Sequence, residues 1–131
     1  MYRYYPEVDV SVLMHRTITN LQQNGDDELL FTMDNGDRYI MYHSQDCCEY
    51  VRIEDIDGDL NDLVGSPVLQ AEVVSDETRD GWEEDEYQND SYTWTFYKFA
   101  TIKGSVTLRW LGESNGYYSE RVDFGKVEDD E

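Results

Sequence analysis

The segment HSQDCCE, residues 43–49, places a histidine, two acids and two adjacent cysteines within seven positions. As a strand it directs His43, Cys47 and Glu49 to one face and Asp46 to the other. The adjacent cysteines then diverge, and neither their spacing nor the single further histidine of the chain suits a closed zinc site. A small module that binds a ligand or metal through these four residues stays open as an alternative function.

A catalytic pair of Cys47 and His43 is the other chemistry that this segment suggests. No recognisable oxyanion-hole loop accompanies the pair, and the acidic surroundings disfavour a thiolate. We therefore expect no enzyme and no cofactor, with one cysteine facing the core while His43 and Asp46 fix the end or bend of a strand. Bridging adjacent cysteines forces a strained ring, so we expect Cys47 and Cys48 not to be bonded to each other, and no stoichiometric zinc.

The charge of the chain limits its partners. Its 131 residues include 30 Asp and Glu against 10 Lys and Arg, a formal net charge of −20. This charge excludes direct binding of nucleic acid or of an anionic membrane by simple attraction, and it favours basic surfaces or cations. No apolar run approaches the roughly 20 residues of a membrane span, and the start of the chain lacks the pattern of a signal peptide. The sequence predicts a cytoplasmic protein with reduced thiols.

The elements that must position these residues are predicted to be strands almost throughout. Asn-Gly pairs at 24–25, 35–36 and 115–116 mark turns between alternating segments, and Lys103-Gly104 marks another. We predict one all-β domain over residues 1–131, a mainly antiparallel sandwich or partly open barrel with at most one or two short helical turns. Its ordered core spans about 8–126, with an acidic loop at 76–90, a last three-strand meander and a flexible acidic tail at 127–131. The predicted strands are 17–23, 28–34, 38–44, 50–53, 68–74, 91–101, 106–111 and 117–124, with a helical turn at 59–64.

The stretch DIDGDLNDL spaces Asp55, Asp57 and Asp59 like the first ligands of a calcium loop. Leu60 stands where that loop needs glycine, and Ser66 stands where it needs glutamate. We therefore interpret the stretch as a solvated acidic turn, in which Asp59 caps the short helical turn that follows.

Four motifs together carry a resemblance. They are HSQDCCE, IEDIDGDLNDLVGSPVLQAE, TWTFYKFATIKGSVTLRW and GESNGYYSE. In these motifs, over roughly residues 38–124, the chain resembles a family of small, functionally uncharacterised proteins found mostly in tailed bacteriophages. The resemblance implies a phage origin and a single small domain, and it assigns no activity and no catalytic residue.

Residues 76–90 form the clearest charge anomaly, with eight acids against one arginine. A charge run of this kind is usually a solvated loop, and a salt-adapted host would also favour it. Trp82 and Tyr87 lie inside the run, however, and aromatic residues are typical of interface hot spots rather than of solvating segments. Carboxylates held along a strand at about 6.7 Å could imitate a row of phosphates.

The sequence therefore favours a phage-encoded inhibitor that blocks the nucleic-acid-binding site of a basic host defence protein by DNA mimicry, in the host cytoplasm. An RNA-guided nuclease or a restriction enzyme is the expected kind of target. An accessory structural protein of the phage particle is a further alternative. The residues predicted to contact the target are Asp76, Glu77, Asp80, Glu83, Glu84, Asp85 and Glu86, with Trp82 and Tyr87 as apolar anchors.

Overall fold

The fold is seen in a computed structural model, which describes residues 5–45, 48–79, 91–114 and 119–128. For residues 76–79 only the backbone is described. The strands in this part of the chain are β1 (Ile18–Gln23), β2 (Glu28–Met33), β3 (Arg38–Tyr42), β4 (Tyr50–Asp57), β5 (Gln70–Arg79), β6 (Ser91–Thr101), β7 (Gly104–Ser114) and β8 (Asp123–Val127).

The strands form two four-stranded antiparallel sheets. The first sheet has the order β1-β2-β3-β8, and the second has the order β4-β7-β6-β5. The sheets do not close into a barrel, so the all-β prediction is confirmed in its open sandwich form. Two 3-10 turns, Val10–Leu13 and Leu60–Leu63, are the helical segments in the described ranges. Neither of them has the length or apolar character for a membrane crossing.

Local turn chemistry fixes the hairpins of the first sheet. Between β2 and β3, the Met33 amide donates to the Asp37 carbonyl at 2.8 Å, and the Gly36 amide donates to the Met33 carbonyl at 3.0 Å. Gly36 has a φ of 93°, a conformation that glycine adopts without a steric penalty. The side chain of Asn35 accepts from the Asp37 amide at 3.0 Å. The Asn-Gly pair therefore makes the predicted hairpin.

The core lies between the inner faces of the two sheets. On β2 the side chains alternate, and Leu29, Phe31 and Met33 are buried. Phe31 meets Phe99 of the opposite sheet edge-to-face, with ring centroids 5.9 Å apart. Trp110 is fully buried and donates its indole N–H to Met41 Sδ across the sandwich at 3.2 Å. Contacts of this kind hold the two sheets in one fixed relation, because large aromatic side chains bury the most apolar area.

Three predictions about the strands are wrong. The predicted loop at 76–90 begins too early, because β5 continues to Arg79 and pairs with β6 along its full length. Residues 119–122 of the last predicted strand, 117–124, are not in a strand, and 117 and 118 lie outside the described residues; β8 begins at Asp123 and pairs with β3 in the first sheet, not with β7. The predicted meander therefore has only two strands in one sheet. Val127 lies in β8 and not in a flexible tail, since the pairing with Arg38 extends to that residue.

Gly58 is the glycine that the second sheet requires most. Its φ is 123°, and an added Cβ would lie 2.5 Å from the Ser105 carbonyl oxygen. We expect Gly58→Ala to lower the free energy of unfolding by about 2–3 kcal/mol, because it combines backbone strain with a clash against β7. Gly36→Ala is the matched control, since Gly36 also has a positive φ but has nothing within 4 Å of the added Cβ. Urea denaturation should show the smaller loss for Gly36→Ala, and equal losses would contradict this reading.

Candidate functional site

Residues 43–45, 48 and 49 of the predicted ligand segment lie between β3 and β4 and are not in a strand. β3 ends at Tyr42 and β4 begins at Tyr50, so the prediction that alternation sorts these side chains onto two faces is wrong. His43 and Glu49 nevertheless meet, with Nε2 and Oε2 2.6 Å apart. Their side chains are only 3% and 0% exposed. The sequence predicts that His43 and Glu49 share one face of a strand; the two side chains do meet, but no strand positions them.

The hydrogen bonds of His43 define its proton arrangement. Its Nδ1 lies 2.7 Å from the carbonyl oxygen of Arg121 and must donate there, because a carbonyl only accepts. The Nε2 contact with Glu49 then holds one shared proton, either as imidazolium with carboxylate or as neutral imidazole with a carboxylic acid. In both forms the pair fastens the end of β3 to the segment that precedes β8. This arrangement supports the expectation that His43 fixes a strand end.

The cysteine expectation needs a correction. Cys48 is exposed and disulfide-bonded, so the expectation that it carries a free thiol is wrong. The argument for separate thiols was the strain of a ring between adjacent cysteines, and that strain does not keep Cys48 unbonded here. Cys47, the only other cysteine of the chain, and Asp46 lie outside the described residues. Within the described ranges no group of three or more His, Cys, Asp or Glu side chains is placed to hold a metal ion.

The calcium-like stretch is divided between a strand and a turn. Asp55 and Asp57 belong to β4, whereas Asp59 precedes the turn Leu60–Leu63 and accepts from the Asn61 amide at 3.0 Å. The prediction that Asp59 caps this helical turn is confirmed.

The predicted contact residues of the acidic run are only partly described. Asp76 and Glu77 lie on β5, where their backbones pair with those of Trp94 and Thr93. The other residues of the predicted set lie outside the described residues: Asp80, Trp82, Glu83, Glu84, Asp85, Glu86 and Tyr87.

Acidic residues are concentrated on the two edge strands of the second sheet. One edge strand, β4, carries Glu54, Asp55 and Asp57, which we call the β4 acidic edge. The other edge strand, β5, carries Glu72, Asp76 and Glu77, which we call the β5 acidic edge. Between them, β6 has no acid and β7 has only Glu113. The negative charge of this sheet therefore lies in two rows, one on each edge strand, and the strip between them carries the cations Lys98 and Arg109 beside Glu113.

The β4 acidic edge is exposed because of a local irregularity. The pairing of β4 with β7 shifts between Ile53 and Asp55, and a bulge of this kind re-aims side chains. Glu54 and Asp55 are consecutive, yet both are exposed. The turn between β1 and β2 adds charge nearby, since the Ile53 amide donates to the Asp26 carbonyl at 2.5 Å.

One cation, Arg52, partly neutralises the β4 acidic edge. Arg52 lies 3.2 Å from Glu54 and 3.6 Å from Glu113, and its guanidinium stands 4.3 Å from the ring centroid of Tyr50. Tyr50 itself is 54% exposed. An exposed tyrosine held over an arginine beside a row of carboxylates has the composition of a protein-binding surface. The sequence did not indicate that Tyr50 is exposed, because its exposure depends on its position at the start of β4.

A groove on the other side of the second sheet forms a separate site. It has a volume of about 870 Å³ and is bounded by the inner faces of β5 and β6 and by the segments around residues 7–10 and 119–124. Glu120 lies in its wall and accepts three hydroxyl hydrogen bonds: from Ser91 at 2.5 Å, from Thr93 at 2.7 Å and from Ser114 at 2.5 Å. Three donors fix one carboxylate rigidly. The motif GESNGYYSE contains Glu120 and one of its partners, Ser114, but the other two partners come from β6 and lie more than 25 residues away.

The comparisons with known proteins give a family and no activity. No curated protein and no solved structure matches the chain. One family model matches residues 11–124, which cover both sheets and exclude only the last residues of β8. The chain therefore belongs to the DUF7448 family, described as a domain of unknown function.

Proposed function

We propose that this protein is a non-enzymatic, phage-encoded inhibitor that occupies the nucleic-acid-binding site of a basic host protein by imitating DNA, in the host cytoplasm. The observation that carries the proposal is the placement of acids on the two edge strands of the second sheet: Glu54, Asp55 and Asp57 are exposed on β4, and Glu72 is exposed on β5, whose last residues include Asp76 and Glu77. In the sequence, β5 is followed by further acids together with Trp82 and Tyr87, which we propose take part in the same contact.

The spacing of the two rows fits the proposal. Three inter-strand steps separate β4 from β5, which corresponds to about 14 Å at the usual strand spacing. The phosphate rows that border the major groove of DNA are about 12 Å apart. A protein whose lysines and arginines grip two phosphate rows would therefore meet carboxylates at a comparable separation. The net charge of −20 would add long-range attraction and fast association.

The strip between the rows supplies aromatic contact area and two cations, Lys98 on β6 and Arg109 on β7. On β6 the outward side chains include Tyr92, Trp94 and Phe96, which are partly buried. The guanidinium carbon of Arg109 lies 5.1 Å from the ring centroid of Trp94 and covers one face of that ring. Aromatic surface beside charged rows is typical of interfaces in which a few residues hold the partner and the charges steer it.

The experiment that tests this function is capture from a lysate of the natural host on immobilised protein, with duplex DNA as the competitor. We expect captured proteins to bind nucleic acid, to leave the column as salt rises towards about 1 M, where the screening length falls to about 3 Å, and to be displaced by DNA. Partners that stay bound in excess DNA would show that the surface does not occupy a DNA site. Partners without nucleic-acid-binding activity would point to the accessory structural role instead.

A further inference from the structure

The groove beside Glu120 has the size and walls of a small-ligand site. Its volume of about 870 Å³ lies within the usual range for pockets that hold small molecules. The inner faces of β5 and β6 form its floor, and the segment that carries Glu120 and Arg121 forms one wall. Residues of a strand alternate between its two faces, and the groove lies on the face of the second sheet opposite to Glu72. It is therefore separate from the outer face, where the proposed DNA-mimicking acids are exposed.

Two hydroxyl groups in this groove have no protein partner. Thr95 and Tyr97 line the groove, and each residue is only 3% exposed. Within the part of the chain that the structure describes, neither hydroxyl makes a hydrogen bond. Neither oxygen is among the fully enclosed polar atoms of the described residues that lack a partner, so both are open to the groove, where a ligand can supply the missing bond. Two of them side by side on one strand face make a polar floor.

The wall above this floor offers acceptors. The hydroxyls of Ser91 and Thr93 each give their single proton to Glu120, which leaves their oxygen lone pairs as acceptors. Glu120 accepts two hydrogen bonds on Oε2 and one on Oε1, so about one of its four acceptor positions, on Oε1, stays open. The groove therefore suits a ligand that has several hydrogen-bond donors.

The charge of the residues that line the groove indicates whether such a ligand is cationic, neutral or anionic. Three carboxylates, Glu7, Asp9 and Glu120, line the groove together with one cation, Arg121. Arg121 is already paired with Glu7 and lies 3.3 Å from Asp123. The net charge of the lining is negative, so the groove repels anions. A cation should bind it more tightly than a neutral polyol, because only the cation is attracted by that charge.

We infer that this groove binds the guanidinium or primary ammonium group of an organic cation, with the donors of the ligand on Glu120, Ser91 and Thr93 and its polar edge over Thr95 and Tyr97. A guanidinium brings five donors and an ammonium three, which matches an acceptor-rich site. Burial raises the pKa of the Tyr97 phenol well above its usual value, and Asp123 adds to the effect, so the phenol stays neutral beside the cation. The inference does not depend on DNA mimicry.

The test is a titration of the isotope-labelled full chain with agmatine, followed by NMR. We expect shifts at Thr95, Tyr97 and Glu120 and saturable binding. Thr95→Val and Tyr97→Phe should each weaken agmatine binding by about tenfold, because each removes one hydrogen bond to a charged group. Neither variant should lower stability, because the lost hydroxyls have no partner in the protein. A loss of stability without a change in agmatine affinity would overturn the inference and assign these hydroxyls to the fold.

Matched controls separate this site from general attraction to an acidic protein. Glu72→Gln removes one exposed carboxylate on the opposite face of β5 and should leave agmatine affinity within about twofold, since an exposed charge is well screened. N-butylurea, which has a similar shape and no charge, should bind at least tenfold more weakly than agmatine. Equal binding of the two molecules, or equal effects of Glu72→Gln and Thr95→Val, would contradict the cation site.

A second ligand distinguishes the source of the cation. The peptide acetyl-Gly-Arg-Gly-amide presents the same guanidinium on a chain. Binding of both ligands at Thr95 and Tyr97 identifies a groove that accepts an arginine of a protein partner, whereas binding of agmatine alone identifies a site for free amines. Binding of neither ligand at millimolar concentration rejects the inference, and it leaves the mimicry proposal unaffected because that proposal rests on the outer edges of the sheet.

Discussion

Replacing His43 by leucine is expected to lower the free energy of unfolding by about 3 kcal/mol, and replacing Glu49 by leucine should lower it by a similar amount. The two side chains are 3% and 0% exposed and lie 2.6 Å apart. Removing one partner leaves the other as a buried charge or an unmatched polar group, which is the most unfavourable outcome for such a pair. The midpoint of urea denaturation measures both losses, provided that the slope of the transition is unchanged.

A double-mutant cycle identifies the cause. The combined variant His43→Leu with Glu49→Leu should lose less than the sum of the two single variants, because no isolated polar partner remains. Glu49→Gln is the matched control, since its amide can still donate to His43 Nε2 while Nδ1 keeps the Arg121 carbonyl. Its loss should be about 1 kcal/mol. Additive losses in the cycle would show that packing, and not the pair, determines the stability of this connection.

The local parts of the fold could be predicted from the sequence because their causes are local. The Asn-Gly pair at 35–36 makes its hairpin through hydrogen bonds within five residues. The cap at Asp59 spans two residues. The partner of β8 could not be predicted in this way, because nothing near residues 123–127 indicates β3, which lies about 85 residues earlier. Alternating strands fit either sheet of a sandwich, and the choice depends on packing across the whole domain.

The candidate sites show the same division. The sequence singled out His43 and Glu49 by residue type, but their anchor is the carbonyl of Arg121, which is 78 residues away. The count of acids in 76–90 drew attention to one side of the second sheet. The opposite row on β4 became visible only with the strand order, which puts β4 and β5 at the two edges. The groove was missed, because Glu120 meets Ser91 and Thr93 only after β6 and the segment before β8 have folded together.

Neutralising the β4 acidic edge is the prediction with the largest effect on the proposed function. The variant Asp55→Asn with Asp57→Asn removes two exposed charges and keeps the size of both side chains. If β4 forms one of two rows that a DNA-binding protein grips, we expect the affinity for the captured partner to fall about tenfold, mainly through a slower association rate. Surface plasmon resonance at two salt concentrations measures this, and the variant should depend less steeply on salt than the parent.

The control for the β4 variant must remove two negative charges at positions away from β4. Asp34→Asn with Glu128→Gln also removes two exposed acids, and both positions belong to the first sheet or its turns. This control should change the association rate by less than about twofold, because distant exposed charges are screened beyond about 10 Å at 0.1 M salt. Replacing Glu83, Glu84, Asp85 and Glu86 by their amides tests the second row in the same assay.

Acids on edge strands also have a protective use, because they prevent a sheet from pairing with another chain. This alternative predicts a different outcome for the same β4 variant: unchanged affinity for the partner, together with self-association at high protein concentration. Size-exclusion chromatography of the variant and of the Asp34 and Glu128 control distinguishes the two. If the β4 variant associates with itself and binds as well as the parent, the β4 acidic edge protects the fold, and mimicry must be sought on β5 and residues 80–90 alone. If it stays monomeric and binds about tenfold more weakly, the carboxylates of β4 belong to the binding surface.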